Sequence, residues 1–550
     1  GSTLTLAGLP GSPVGVATFT PAGAAAFTLN WSSGTVAGGY NSAVTLYRAE
    51  ISLDPGFSPV EDSSQTYNLA AAFGGLQANR TYYARVRAVN GTGKVSPYLT
   101  LGSTTTATTI PGAPAGSPYS AVGAASFAVS WTANGNPAGT TYYAQISTNS
   151  NFNTVAAASE TLNASAIFSG LFANTTYFAQ AAAYSGGAGT WTAFTSLSST
   201  ATLANAPASP AAGGVHLSSA GLVWAFNSNP AGTTFYAEIS TDSFSTLVAS
   251  SRTLSASATF FNLLSNAAYS LRVRAVNHNT VPTAYTVTTA TSTLTADPAS
   301  AGASGFGVSS ITANWLANGN APGTLFEARI STDNFSTFNA SSFTLNTGAA
   351  FTGLGGNTTH YFMVRALGTR NTTPFTVLPA TMTLLLPPAA AAASFSGVGV
   401  GSVTVLWADG GNGPGTEYNA QISSDAFGTL NLSSRTANLY ALFGAGGAGA
   451  ALQPNTTFTF RVQTINNNNA SAFVGLGSTI TLAAPPAGLG SSAVAGTSAT
   501  LSWSLNTNPA WTAAEVERST DNAAYAMVSS GAAVSFIDRE EPRVLLALML

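Results

Sequence analysis

Tryptophan recurs along this chain at a spacing that fits one small folding unit repeated. Trp31, Trp131, Trp224, Trp315, Trp407 and Trp503 stand 100, 93, 91, 92 and 96 residues apart, and they close alternating stretches such as AAFTLNW, ASFAVSW and SVTVLW. Two others, Trp191 and Trp511, fall outside the series. Alternation with a period of two is that of a strand with one buried face, so the repeated unit is built from strands.

After each tryptophan comes a Gly/Asn/Pro loop (ANGNPAGT, NSNPAGT, ANGNAPGT, DGGNGPGT), then a strand such as YYAQIS or FYAEIS. A turn rich in Asp, Asn and Ser follows, where short polar side chains bond the local backbone. The unit continues through further strands, among them ARVRAVN or LRVRAVN, and ends on a Thr-rich strand and a proline. About seven short strands per unit, with turns every 8 to 12 residues, predict an all-β chain of tandem seven-stranded sandwiches. Prolines in IPGAP, NAPASP, ADPAS, LLPPAA and AAPPAG mark the junctions, because proline cannot donate to a sheet ladder and fixes its own backbone angle. The expected organisation is a leading strand at 1–9, modules at 10–110, 111–205, 206–297, 298–387 and 388–485, and an incomplete sixth module at 486–550. Linkers this short predict a semi-rigid succession of modules.

The pattern resembles the fibronectin type III family over nearly the whole chain. The family's marks are a Trp on the second strand and, near the sixth, a Leu followed six residues later by a Tyr. Here these are Leu76 and Tyr82, Leu171 and Tyr177, and Leu263 and Tyr269. His360 stands at the tyrosine position after Leu354, with Tyr361 beside it, and Phe458 follows Leu452. The resemblance implies an immunoglobulin-like fold and, in the first three modules, a phenol OH tied to nearby backbone. It leaves function open, since such folds serve as spacers, receptors and adhesive surfaces alike.

Composition narrows the chemistry. Charged residues make up 6% of the 550, against about 25% in ordinary globular chains. A net charge of −3 and a single lysine, Lys94, give no field for nucleic acid or anionic membrane. The absence of cysteine excludes disulfides, thiol catalysis and thiolate metal sites. No apolar run reaches the 18 residues of a membrane span, the C-terminal VLLALML being seven. His216, His278 and His360 show no metal-ligand spacing, and no nucleophile or phosphate-loop motif occurs. No cofactor and no enzymatic activity are therefore expected. Asp242, Asp333, Asp425 and Asp521 recur at one turn; each supplies a single carboxylate where calcium wants several oxygens, which favours a turn-forming role. The six series tryptophans are expected in cores rather than on sugar-binding faces. Asn79, Asn174, Asn357 and Asn455 lie in N-x-S/T sequences before the sixth strand and read either as glycan acceptors or as loop chemistry.

The termini carry the sharpest signal. GSTLTLA at residues 1–7 repeats GSTITLA at 477–483, the closing strand of the fifth module, and is expected to be a closing strand standing ahead of the first module. The sixth module runs to EEPRVLLALML, where its sixth strand belongs, and the closing strand is lacking. An open sandwich edge invites a strand from elsewhere. The expectation is that Thr3, Leu4, Thr5 and Leu6 of one molecule complete the C-terminal module of another, against Val544, Leu545, Leu546 and Leu548, with the leucines inward and the threonines outward. Such head-to-tail contacts propagate into a filament unless they close into a ring. The alternative is a window of a longer array whose neighbouring repeats supply the missing pieces. The functional expectation is an extracellular or cell-surface structural protein with itself as partner. Against it stand an adhesin or receptor stalk recognising glycans or matrix proteins, and an accessory region of a secreted polysaccharide-degrading enzyme.

Overall fold

A computed structural model describes residues 5–21, 23–466, 469–495, 498–539 and 545–549. Every regular element among them is a β-strand, and no helix is long and apolar enough to cross a membrane. The fold is a tandem array of antiparallel β-sandwiches. The chain divides into two compact units, one of Gly1–Leu263 with Ala268–Thr293, the other of Leu264–Ala267 with Leu294–Leu550.

The fifth module shows the plan. Its first, second and fifth strands, Ala389–Ser396, Ser402–Ala408 and Tyr440–Gly444, form one antiparallel sheet in that order. The other sheet runs Leu432–Thr436, Glu417–Ser423, Thr457–Ile465 and Val474–Ile480, the fourth, third, sixth and seventh strands. Sequence alternation dictates the packing: Val403, Val405 and Trp407 of the second strand meet Phe458, Phe460 and Val462 of the sixth, all nearly free of solvent. The first and fourth modules repeat the two sheets strand for strand. In the second and third an extra short strand joins the four-stranded sheet. Seventh strands carry a bulge at Gly102 and at Gly477, whose φ of 90° and 87° suit glycine, and this accounts for the recurring Gly-Ser-Thr.

All six series tryptophans are buried, and in the first five modules the ring packs on an aromatic of the third strand at 5.5–5.7 Å. Such pairs add about 0.5–1.5 kcal/mol beyond the area they bury. Tyr82 and Tyr177 each accept a hydrogen bond at the phenol oxygen from backbone five residues upstream, Gln77 N–H at 3.0 Å and Phe172 N–H at 3.1 Å. At the same place His360 is buried with both ring nitrogens unpartnered, and Phe458 fills the space with no polar atom.

The sixth module departs from the plan. Its second sheet has three strands, Ala526–Gly531, Ala514–Ser519 and Leu545–Met549, in that order. Leu545–Met549 pairs on one side with Ala514–Ser519, and no described strand lies on its other side.

Candidate joint and assembly site

The asparagines of the loops before the sixth strands and those of the Gly/Asn/Pro loops meet at the module ends. Asn79, Asn174, Asn266, Asn357 and Asn455 have φ of 44–51°, a left-handed conformation that asparagine tolerates better than most residues. This turns each side chain outward from its own module. Their Nδ2 groups donate to the hydroxyls of Thr140, Thr233, Thr324, Thr416 and Thr512 in the following module, at 3.2, 2.8, 3.0, 2.9 and 2.8 Å. Their backbone N–H groups donate to linker carbonyls, as Asn174 does to Leu203 at 3.0 Å.

A second set of asparagines grips the linker itself. Asn136, Asn229, Asn320, Asn412 and Asn508 each accept the N–H of one linker residue at Oδ1 and donate Nδ2 to its carbonyl, at 2.8–2.9 Å. The residues held are Thr109, Asn205, Ala296, Leu386 and Ala484, one or two places before proline. Three residues earlier stands a buried threonine. Thr106, Thr202, Thr383 and Thr481 each donate to a carbonyl of the loop before the sixth strand and accept an N–H from it. Both backbone groups of the linker residue are thus satisfied, which holds the linker against the module that follows it as a flexible linker would not be held.

Residues 5–8 repeat the downstream half of this joint. Asn41 accepts the Gly8 N–H at 2.8 Å and donates to the Gly8 carbonyl at 3.0 Å. Asn90 donates to the Thr5 carbonyl at 3.1 Å, as Asn277 does to that of Thr202 at the same distance. Ala7 packs on the first module's core. Thr45 N–H bonds the Ser42 carbonyl in the turn that Thr140 closes on Pro137 in the next module. An open cleft lies here, lined by Thr5, Leu6, Tyr40, Asn41, Val44 and Thr45.

The internal copies of the closing strand bury its threonine side. At the place of Thr5 stand Thr106, Thr202, Thr293, Thr383 and Thr481, between 0% and 4% exposed. At the place of Leu6, Leu384 and Leu482 are 46% and 55% exposed, and Leu6 itself is 75% exposed. The threonine faces inward because its hydroxyl serves the loop, which turns the leucine out. Thr3, Leu4 and Val544 lie outside the described residues, and Leu545, Leu546 and Leu548 are described as backbone of the edge strand.

In Asn79, Asn174, Asn357 and Asn455 the nitrogen a glycan would occupy is the one given to the next module, and Asn174 is fully buried. Asn266, followed by two alanines and so in no N-x-S/T sequence, makes the same bond. The recurrence of asparagine there, with or without the acceptor sequence, was the signal that sequence reasoning passed over. The recurrent aspartates are saturated turn formers: Asp242 accepts from Ser240 and from the backbone and hydroxyl of Thr246. Those hydrogen bonds hold the Asp242 carboxyl down at about 2. Among the described residues no group of three or more His, Cys, Asp or Glu could hold a metal.

No family model and no curated protein matches the chain. Among solved structures it is similar to the chicken CNTN1 FN1-FN3 domains, at 14% identity and TM-score 0.22, over 50% of this chain and 99% of that one. It is likewise similar to a two-domain fibronectin type-III segment from chicken tenascin, at 14% identity and TM-score 0.25, over 34% of this chain and all of the other.

Proposed function

We propose that this chain is a non-catalytic structural subunit of an extracellular or cell-surface fibre, joined head to tail when the N-terminal segment of one copy completes the sixth module of another. The observation that carries the reading is the Asn41 clasp on Gly8, which seats residues 5–8 on the first module as every internal linker is seated. Residues 1–7 repeat the closing-strand sequence of the fifth module, and Leu545–Met549 offers a strand edge of the kind that strand pairs with internally. Backbone ladder bonds would supply about 0.5–1.5 kcal/mol each, and burial of the strand's inward face adds to them.

The same clasp favours a second reading, a stalk segment of a longer tandem-repeat surface protein, in which a preceding module uses residues 1–7 as its own last strand. A synthetic peptide of residues 1–8 separates the two. Added in excess to the full chain during sedimentation velocity, it caps the acceptor edge and shifts large species to single chains if copies join by donation. A distribution unchanged by the peptide, or single chains at all concentrations without it, speaks for the stalk.

A further inference from the structure

The third module carries an arginine arrangement that its fold does not require. In its four-stranded sheet, Tyr236 lies directly opposite Arg252 on one neighbouring strand and Arg274 on the other. The three side chains form one row, Arg-Tyr-Arg, across two strand spacings of roughly 5 Å each. Arg274 is stacked over Tyr285 at 4.6 Å and reaches the Tyr236 ring at 5.7 Å, and its Nε is shielded from water without a hydrogen-bond partner. Nearby Arg272 is neutralised by Glu238 at 2.6 Å, and the second oxygen of that carboxylate takes the Tyr285 hydroxyl at 2.7 Å. Neither Arg252 nor Arg274 has a carboxylate at ion-pair distance among the described residues. Two uncompensated guanidiniums flanking one ring stand out in a chain with 16 basic residues in all.

Equivalent rows elsewhere show that the sheet folds without this charge. In the second module the row is Glu160, Tyr143 and Ala182. In the first it is Gln65, Arg48 and Arg87, where Arg87 is stacked over Tyr98 at 4.5 Å as Arg274 is over Tyr285, but Arg48 is held by Glu50 at 2.9 Å and glutamine takes the place of Arg252. In the fourth, Arg365 is held by Glu327 at 2.6 Å. In the fifth, Arg435 is paired with Glu417.

The row lies in an open cleft walled by Thr234 and by His278 and Thr280 of the loop after the sixth strand. We propose that this cleft binds an acid-bearing sugar, the pyranose stacked on Tyr236 and its acid group received by Arg252 and Arg274. A guanidinium offers a planar pair of donors that matches a carboxylate or sulfate oxygen pair, and its stack on tyrosine fixes the plane of that fork beforehand. Aromatic faces recognise the C–H side of a sugar ring, while Thr234 and Thr280 offer hydroxyls at the rim. The site does not depend on end-to-end assembly.

The test uses the full chain in affinity electrophoresis through gels containing polygalacturonate, dextran sulfate or neutral dextran. Retention by an acidic polymer and not by dextran, reduced at least tenfold in apparent affinity by joint R252Q and R274Q, is expected. The more strongly retaining polymer identifies the acid as carboxylate or sulfate. R435Q removes an already paired arginine and should leave retention unchanged, which controls for loss of net charge. Y236A should weaken retention while both arginines remain. Retention by neither acidic polymer, equal retention by dextran, or retention that survives the double substitution would overturn the proposal.

Discussion

Asn174 donates its side-chain amide to the Thr233 hydroxyl at 2.8 Å, across the boundary between the second and third modules, and both residues are fully buried. Thr233 in turn donates to the Pro230 carbonyl at 2.8 Å, so the joint is a relay from one module's loop into the turn of the next.

Breaking that relay should loosen one joint and leave the sandwiches folded. N174A leaves a buried hydroxyl short of its donor, at about 1–3 kcal/mol, and also forces alanine into a φ of 44°. N174G loses the same two side-chain hydrogen bonds, to the Thr233 hydroxyl and from the His278 N–H, but relieves the backbone, so it should be the milder of the two. Hydrogen–deuterium exchange on the intact chain should show faster exchange in peptides covering 170–176 and 228–236, with core strands protected as before.

His360 makes the fourth module acid-sensitive. Burial favours the neutral ring and pushes its pKa below the ordinary value, and neither ring nitrogen has a partner to offset this. The unfolded chain, with His near 6.5, then binds more protons than the folded one as pH falls. Stability from this group is present above about 6.5 and is lost as pH drops through the depressed folded value. H360F, copying Phe458, should flatten the pH dependence of fourth-module melting between pH 7 and 5 in calorimetry; an unchanged slope would assign the dependence elsewhere.

Strand alternation, the tryptophan register and the buried Phe/Val rows were legible in the sequence because burial on one face of a strand writes itself at period two. The joints were less so. Asn174 and Thr233 are 59 residues apart, and nothing local to either predicts the other. Thr5 was read as outward-facing because leucine outranks threonine by hydrophobicity alone. Its internal counterparts face inward because a hydroxyl is needed there, a demand visible only once the loop carbonyls are in place. The Arg252–Tyr236–Arg274 row depended on pairing register between strands, which the sequence does not print.

Glu50 should prove the most sensitive charge in the first module. Its side chain is 2% exposed; burial alone would raise its pKa, but hydrogen bonds from Tyr98 at 2.6 Å and Arg85 at 2.7 Å, with Arg48 at 2.9 Å, keep it below the ordinary value. The depressed value means this stabilisation is held at neutral pH and lost as pH falls through it. E50A strands two guanidiniums and should destabilise the module by about 3–5 kcal/mol in denaturant unfolding followed at its own tryptophan, whereas Y98F removes a single donor and should cost about 1–3 kcal/mol.

The closing-strand geometry separates Thr5 from Leu6. If donation copies the internal joints, L6S leaves assembly intact because the residue points outward, while T5V removes the hydroxyl that serves the acceptor loop and weakens assembly by about one to two orders of magnitude, the worth of a buried hydrogen bond. Concentration-dependent light scattering compares the two, and a larger effect from L6S would restore the leucine-inward geometry.

Electron microscopy of the chain with residues 1–6 deleted, which keeps Gly8 in the Asn41 clasp, bears most directly on head-to-tail assembly. Filaments formed by the full chain and absent from the deleted one, with module melting unchanged, are the predicted result. Filaments of equal length from both chains, or none from either at high concentration, would contradict it.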